Sequence, residues 1–144
     1  MNTKSLQHLK GIKPALAKVI RLGYTMPGLS YEVTEGLRLL ARQKELFNAG
    51  ASHTMNSKHL TGDAVDVVAM VGETARWDWQ LYPQIARQIA LAAARLDTRI
   101  VWGGFWGIIT PETDMDAAVA AYVARCKREN RKALLDGPHF ELAV

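Results

Sequence analysis

Two short polar segments, far apart in the chain, constrain how this sequence can fold. The first covers residues 57–66 and contains His59 and Asp66; the second covers residues 136–142 and contains His139. Two imidazoles and one carboxylate form the ligand set of a catalytic zinc site, which keeps a fourth coordination position open. The sequence therefore predicts a fold that brings His59, Asp66 and His139 to one point.

The spacing within the first segment suits a metal site. Gly62 permits a tight reversal after His59, so the chain can return Asp66 close to the imidazole. Residues 62–70 alternate like a strand, and a carboxylate within so apolar a strand needs a partner, because an unpaired buried charge is costly. Imidazole and carboxylate together favour zinc over magnesium or calcium. Iron(II) uses a similar triad, so the ligand set alone leaves zinc and iron open.

Two further polar residues extend this candidate site. Asp136 precedes His139 by three residues, so its carboxylate can lie beside the metal without ligating it and act as a general base. Arg38 is the candidate for stabilising the oxyanion that forms on an attacked carbonyl. Each residue also has a structural alternative: Asp136 could cap a turn, and Arg38 could form an ion pair with Glu35 or Glu45.

Two tryptophans and the histidines outside both motifs give weaker evidence for a place in this site. Trp102 and Trp106 flank a Gly-Gly pair, and each could pack in the core or line a substrate cleft. His8 and His53 stand outside both motifs, and we interpret them as surface or loop residues.

The remaining patterns alternate between helices and short strands. Helices are predicted at residues 14–23, 39–49 and 79–96 and from 113 or 114 onward, and strands at 31–35, 62–70, 99–102 and 139–143. Asp78 is predicted to cap the third helix, whose regular part is expected to begin at Pro83. With no internal repeat and no linker, the sequence predicts one α+β domain over residues 1–144.

Charge and composition narrow the functional classes. The net charge of +4 indicates attraction to a polyanion. Basic residues are densest at 125–132, where we favour a solvated helix face over a nucleic-acid surface. The sequence predicts neither a signal peptide nor a membrane-spanning segment. The single cysteine, Cys126, excludes an intrachain disulfide and fits a reducing compartment.

At these motifs the sequence resembles the zinc peptidases that cut peptidoglycan stem peptides, a family that includes D-alanyl-D-alanine carboxypeptidases and VanY-like vancomycin-resistance peptidases. It is most similar to their bacteriophage endolysin branch, the L-alanyl-D-glutamate endopeptidases. The matching motifs are Glu35-Gly36-Leu37-Arg38 with Arg42-Gln43, the zinc motif of residues 57–66, Trp102-Gly103-Gly104, and Pro138-His139-Phe140-Glu141.

The resemblance implies a small antiparallel sheet flanked by helices, the fold also seen in hedgehog-type signalling domains. It implies Zn²⁺ as the cofactor, with Asp136 as general base and Arg38 polarising the scissile carbonyl. The implied zinc ligands are His59, Asp66 and His139. Residues assigned to substrate binding are Ser57, Gln43 and Trp102.

Two departures from the family pattern stand out. Asp136 occupies a position where many relatives carry Glu, and residues 108–135 form a longer connection than the resemblance leads us to expect. The helix predicted within that connection would shape the substrate cleft.

The resemblance implies an endolysin that hydrolyses the L-Ala–D-Glu bond of peptidoglycan stem peptides. The alternatives are a D,D-carboxypeptidase acting on D-Ala-D-Ala termini and a non-catalytic zinc-stabilised binding module. We expect a monomer without a separate wall-binding domain and without a nucleic-acid partner. We also expect it to stay in the host cytoplasm until the membrane is breached and then to act at the periplasmic peptidoglycan.

Overall fold

The structure, a computed structural model, describes residues 1–52 and 54–144. The strands of these residues are β1 (Ser30–Glu35), β2 (Ala64–Val71), β3 (Thr74–Arg76), β4 (Ile100–Trp102), β5 (Gly107–Ile109) and β6 (His139–Leu142). They form an antiparallel sheet in the order β1-β2-β6-β4-β5, with β3 pairing to β2. Helices accompany the sheet, so the predicted α+β class is confirmed.

The helices of the described residues are α1 (Thr3–Lys10), α2 (Pro14–Thr25), α3 (Leu40–Asn48), α4 (Leu81–Arg95) and α5 (Met115–Arg128). In addition, a single 3₁₀ turn covers Lys58–Thr61. None of the helices in this described part combines the length and the apolarity needed to cross a bilayer.

The core lies where α2 and α4 pack together beside the central strand β2. These elements contribute fully buried aliphatic side chains, and burial of each such side chain stabilises the fold by roughly 1.5–3 kcal/mol. The main contributors are Leu16, Val19, Ile20, Val65, Val67, Ile85 and Ile89. This core holds β2, and with it Asp66, in a fixed position.

Several local features differ from the sequence prediction. Helix α1 was not predicted; it begins after Asn2, whose side chain accepts a hydrogen bond from the Ser5 amide. Helix α4 begins at Leu81, two residues before Pro83, because proline is tolerated within the first turn. Asp78 does not cap it; the Asp78 carboxylate pairs with Arg76 instead.

Helix α5 agrees with its prediction. Asp114 caps it through a hydrogen bond from the Ala117 amide, and Met115, Tyr122 and Cys126 form its buried stripe. The basic residues on its last turn are exposed, as expected of a solvated helix face.

Candidate active site

The three residues singled out as metal ligands lie together, although they come from three separate elements. His59 belongs to the 3₁₀ turn, Asp66 to β2, and His139 is the first residue of β6. Strands β2 and β6 are neighbours, and Asp66 pairs directly with His139. One ligand atom from each of the three residues lies within 4.8 Å of the others. The structure therefore brings together the ligand set that the motifs predict.

Gly62 makes the predicted reversal between the turn and β2. Its φ of 75° lies in the left-handed region, which favours glycine. A Cβ at this position would also come within 3.0 Å of the Gly11 carbonyl oxygen. Both constraints explain why the zinc-type motif needs a glycine three residues after His59.

The two imidazoles present different nitrogens to Asp66. The Nε2 atom of His59 lies 3.4 Å from Asp66 Oδ2, while its Nδ1 lies 2.9 Å from the Gly36 carbonyl oxygen. A carbonyl can only accept, so Nδ1 carries a proton, and Nε2 is the nitrogen left to bind a metal. In His139 the roles are reversed: Nδ1 lies 3.4 Å from Asp66 Oδ1, and Nε2 lies 2.8 Å from Glu141 Oε1.

Asp66 shows directly that this cluster suits a cation. Its Oδ1 atom is buried and has no hydrogen-bond partner among the described residues. A buried carboxylate oxygen without a partner is costly, and a metal ion would satisfy it. Burial would raise the pKa of Asp66, but the two imidazoles outweigh burial and hold that pKa well below its usual range. Two nitrogens and one carboxylate oxygen fit zinc.

The surroundings of His139 are strongly negative. Burial alone would lower the pKa of this imidazole, yet its contacts with Asp66 and Glu141 raise it to about 9. A site whose carboxylates stabilise a positive charge on an imidazole also favours a metal cation.

Asp136 lies beside this cluster with its backbone fixed on both sides. Its amide donates to the Gly103 carbonyl at 3.0 Å, and its carbonyl accepts from the His139 amide at 3.1 Å. A Cβ on Gly103 would come within 2.3 Å of the Asp136 carbonyl oxygen, which explains the glycine after Trp102. This close approach places Asp136 and His139 together.

The Asp136 carboxylate is available for proton transfer. It lines the same cleft as the three ligand residues, and within residues 1–52 and 54–144 it has no hydrogen-bond partner. It therefore caps no turn through its side chain. Burial, followed by the negative charge of Asp66, raises the pKa of Asp136, and a carboxyl group with a raised pKa binds a proton more readily.

Arg38 lies at the cleft and also forms an ion pair with Glu35, which are the two arrangements considered from the sequence. Its guanidinium donates to both Glu35 oxygens, at 2.6 and 2.7 Å, and its Nη2 atom lies 3.9 Å from Asp66 Oδ2. Burial opposes the charge, but the bonds to Glu35 outweigh burial and raise the pKa of Arg38. Arg38 thus remains a fixed cation at the cleft, while it also forms the ion pair with Glu35.

The remaining predicted substrate residues occupy different environments. Ser57 lines the cleft, and its Oγ accepts from the His59 amide at 3.2 Å. Gln43 and Trp102 are fully buried and do not line the cleft. The structure therefore places these two behind the cleft wall, in contrast to the predicted substrate contact.

The buried positions of Gln43 and Trp102 have clear partners. Gln43 accepts from Arg38 Nη1 at 2.6 Å and donates to Ser52 Oγ at 2.8 Å. It therefore holds the Arg38 guanidinium in place and links it to the loop that follows α3. Trp102 stacks on Phe140, and its Nε1 donates to the Gly137 carbonyl at 2.7 Å. Both residues therefore stabilise neighbours of the site without lining the cleft themselves.

Of the two tryptophans that flank the Gly-Gly pair, Trp106 is the one that lines the cleft. Its backbone has a φ of 56°, and its ring centroid lies 5.1 Å from that of His139. The indole Nε1 donates to the Leu134 carbonyl at 2.7 Å, while the Leu134 amide donates to Tyr122 Oη at 3.0 Å. The segment after α5 therefore lines one wall of the cleft through Leu134 and Leu135. Helix α5 itself lines none of it and supports that segment through Tyr122, so its contribution to the cleft is indirect.

The cleft has a volume of about 480 Å³ and is lined by both polar and apolar residues. Besides the ligand cluster and Asp136, its polar lining is Glu35, Arg38, Ser52, Thr54 and Ser57. Its apolar lining is Leu46, Ala51, Trp106, Leu134 and Leu135. Such a mixture suits an extended peptide with both apolar and polar groups.

His8, outside both motifs, does not join the ligand cluster. His8 lies on α1, partly exposed, as interpreted from the sequence. The corresponding interpretation of His53 lies outside the described residues.

Comparison with known proteins identifies the family. The model of the family described as "Phage L-alanyl-D-glutamate peptidase" matches residues 1–143. The L-alanyl-D-glutamate peptidase of Escherichia phage T5 is 24% identical over 142 residues, covering 96% of this chain and 93% of the relative. That of Listeria phage A118 is 35% identical over 79 residues, covering 55% of this chain and 27% of the relative.

A solved structure supports the same assignment. The crystal structure of the Serratia marcescens L-Ala D-Glu endopeptidase ChiX is 38% identical in sequence and superposes with a TM-score of 0.77. The match covers 99% of this chain and 89% of that one. Sequence and fold therefore agree over nearly the whole chain, and this chain belongs to the phage L-alanyl-D-glutamate peptidase family.

Proposed function

We propose that this chain is a zinc-dependent endopeptidase that hydrolyses the L-Ala–D-Glu bond of peptidoglycan stem peptides. The observation that carries the proposal is the convergence of His59, Asp66 and His139 within 4.8 Å beside a cleft that also contains the Asp136 carboxylate. A site that served only to hold the fold together would have no use for this additional carboxylate facing an open cleft.

The residues that would hold zinc are His59 through Nε2, Asp66 through its carboxylate, and His139 through Nδ1. When bound, zinc supplies a Lewis acid that polarises a carbonyl and acidifies a water molecule. The orphaned Oδ1 atom of Asp66 supports this assignment, since the cation would provide its missing partner.

In the proposed reaction, residues of the chain transfer the proton and stabilise the negative charge that develops on the carbonyl oxygen. Asp136 takes a proton from the attacking water molecule and delivers it to the leaving amine of D-Glu. Arg38, held by Glu35 near Asp66, contributes positive charge where the carbonyl oxygen becomes negative. Ser57 from the polar lining of the cleft and Trp106 from its apolar lining orient the stem peptide.

The identity of the bond rests on the relatives. The phage T5 and A118 proteins are named L-alanyl-D-glutamate peptidases, and ChiX is described as an L-Ala D-Glu endopeptidase. We extend this bond specificity to the present chain because the ChiX match covers nearly its whole length. We further propose that the chain acts as a monomer, and that it reaches the peptidoglycan from the host cytoplasm once the membrane is breached.

Metal removal and reconstitution test the proposal. Purified protein should contain one zinc per chain by elemental analysis and should solubilise purified cell walls. A chelator should abolish the activity, and added zinc should restore it. His139→Ala should lose both zinc and activity, whereas the exposed-site variant Asp116→Asn should keep both. Full activity in thoroughly metal-free protein would contradict the proposal.

A further inference from the structure

We propose that Lys58 and Glu141 form a charged positioning pair behind His139, and that Lys58 acts on zinc affinity through Glu141. The inference rests on the proposed zinc site and deepens it. Neither residue belongs to the ligand cluster, and Glu141 contacts it only at the Nε2 atom of His139, so both are positioning residues, distinct from the ligands.

Glu141 contacts both His139 and Lys58. Its Oε1 atom lies 2.8 Å from His139 Nε2, and its Oε2 atom lies 2.6 Å from Lys58 Nζ. The two carboxylate oxygens are therefore both engaged, one by the imidazole and one by the ammonium. The Glu141 side chain is only 12% exposed, so water competes weakly for these contacts.

Strand geometry explains why this carboxylate is in place. His139 and Glu141 are alternate residues of β6, so their side chains project from the same face. Phe140 between them projects to the opposite face and is fully buried in the core. The strand therefore presents the ligand and its supporting carboxylate together.

Lys58 connects the two halves of the metal site. It immediately precedes His59 on the 3₁₀ turn, and its Nζ donates to the Leu142 carbonyl at 3.1 Å as well as pairing with Glu141. One side chain thus ties the turn that carries one ligand to the strand that carries another.

The two imidazoles are supported unequally. His59 donates to a neutral carbonyl, that of Gly36, while His139 faces an ionised carboxylate. A carboxylate behind a ligating imidazole fixes its tautomer and raises its basicity, and loss of such a partner typically weakens metal binding about 10- to 100-fold. Lys58 compensates the charge of Glu141 and holds the carboxylate in the orientation that accepts from His139.

A double-mutant cycle on zinc affinity tests the coupling. The zinc dissociation constant is measured by competition with a chromophoric chelator for the wild type, Lys58→Met, Glu141→Ala and the double variant. We expect Glu141→Ala to weaken binding about 10- to 100-fold. Lys58→Met should also weaken binding in the wild-type background, but it should add nothing once Glu141 is absent.

Matched controls separate positioning from general stabilisation. Lys58→Arg keeps the charge and should retain near-wild-type affinity, and Glu141→Gln keeps the shape and should fall between wild type and Glu141→Ala. Lys13→Met removes another lysine–carboxylate pair, Lys13 with Asp63 at 3.1 Å, and should leave zinc affinity unchanged. The hydrogen-bonded Nε2 proton of His139 should give a downfield proton resonance in zinc-loaded wild type that is lost in Glu141→Ala.

The outcomes are distinguishable. An equal loss of affinity from Lys58→Met in both backgrounds, or wild-type affinity in Glu141→Ala, would overturn the positioning pair while leaving the zinc peptidase intact. A wild-type chain that binds no zinc would instead overturn the proposed function on which the inference rests.

Discussion

Asp66 and His139 lie directly opposite each other on the neighbouring antiparallel strands β2 and β6. Directly paired residues project from the same face of a sheet, and a slip of one residue would move His139 to the other face. The register of two core strands, not a loop conformation, therefore sets the distance between two candidate ligands.

Zinc should contribute to the stability of the fold, because the orphaned Asp66 oxygen gains a partner when the cation binds. At a free zinc concentration 100-fold above the dissociation constant, the gain would be about 2.7 kcal/mol. Thermal unfolding with and without chelator measures it. We expect a lower Tm for the chelated wild type and no zinc dependence for His139→Ala. Equal Tm values for apo and zinc-loaded wild type would contradict a buried ligand set.

Asp136→Asn should remove the proton acceptor while preserving shape. We expect kcat/KM to fall about 10²- to 10⁴-fold, the usual contribution of a positioned general base. Zinc content and Tm should stay close to wild type, because the Asp136 backbone contacts remain. Asp116→Asn, an exposed carboxylate on α5, serves as the matched control. Wild-type lysis by Asp136→Asn would refute the general-base role.

Much of this site was accessible from the sequence because its residues occupy short motifs with strict local geometry. Gly62 and the alternation of residues 62–70 indicate a turn and a strand, which orient His59 and Asp66. The roles of the two tryptophans were not accessible, since both flank the same Gly-Gly pair. Tertiary packing alone separates them, with Trp102 in the core and Trp106 in the cleft.

Other elements were missed for similar reasons. Strands β3 and β5 have three residues each and exist through pairing with β2 and β4. The equally short β4 was predicted because the Gly-Gly pair after Trp102 marks its end. Burial of Gln43 depends on partners from distant positions, Arg38 and Ser52, which no local pattern reveals. Strand alternation puts Glu141 on the same face as His139, but its contact with Lys58 follows only from the fold.

Trp106→Ala should weaken substrate binding more than catalysis. Removal of one aromatic contact worth about 0.5–1.5 kcal/mol predicts a rise in KM of roughly 2- to 12-fold with a smaller change in kcat. Trp106→Phe keeps the ring but loses the bond to Leu134, so it should give an intermediate value. Steady-state kinetics on a soluble stem peptide measures both parameters. Trp77→Ala removes an exposed tryptophan outside the cleft and should change neither KM nor kcat. An unchanged KM in Trp106→Ala would argue against the apolar wall as a substrate contact.

Asp63, within the zinc-type motif, provides a pH-dependent contribution to stability. Burial would raise the pKa of Asp63, but contacts with Thr61 and Lys13 outweigh it and lower the pKa. A lowered pKa in the folded state means that the stabilisation is present above the ordinary Asp value, about 3.9, and is lost as the pH falls through the folded value.

Asp63→Asn should therefore reduce the free energy of unfolding at pH 7 by about 0.2–1 kcal/mol, the usual range for a surface ion pair. The difference from wild type should disappear at acidic pH. Urea denaturation at pH 7, 5 and 3 measures it, and a difference that is independent of pH would show that the ion pair does not contribute.

The most direct measurement of the central claim is mass spectrometry of purified peptidoglycan digested by the zinc-loaded enzyme. Hydrolysis of the L-Ala–D-Glu bond predicts glycan fragments that end in L-Ala and released peptides that begin with D-Glu, in amounts that rise together. Asp136→Asn should produce neither. Release of free D-Ala from otherwise intact stem peptides would instead show a D,D-carboxypeptidase and would contradict the account.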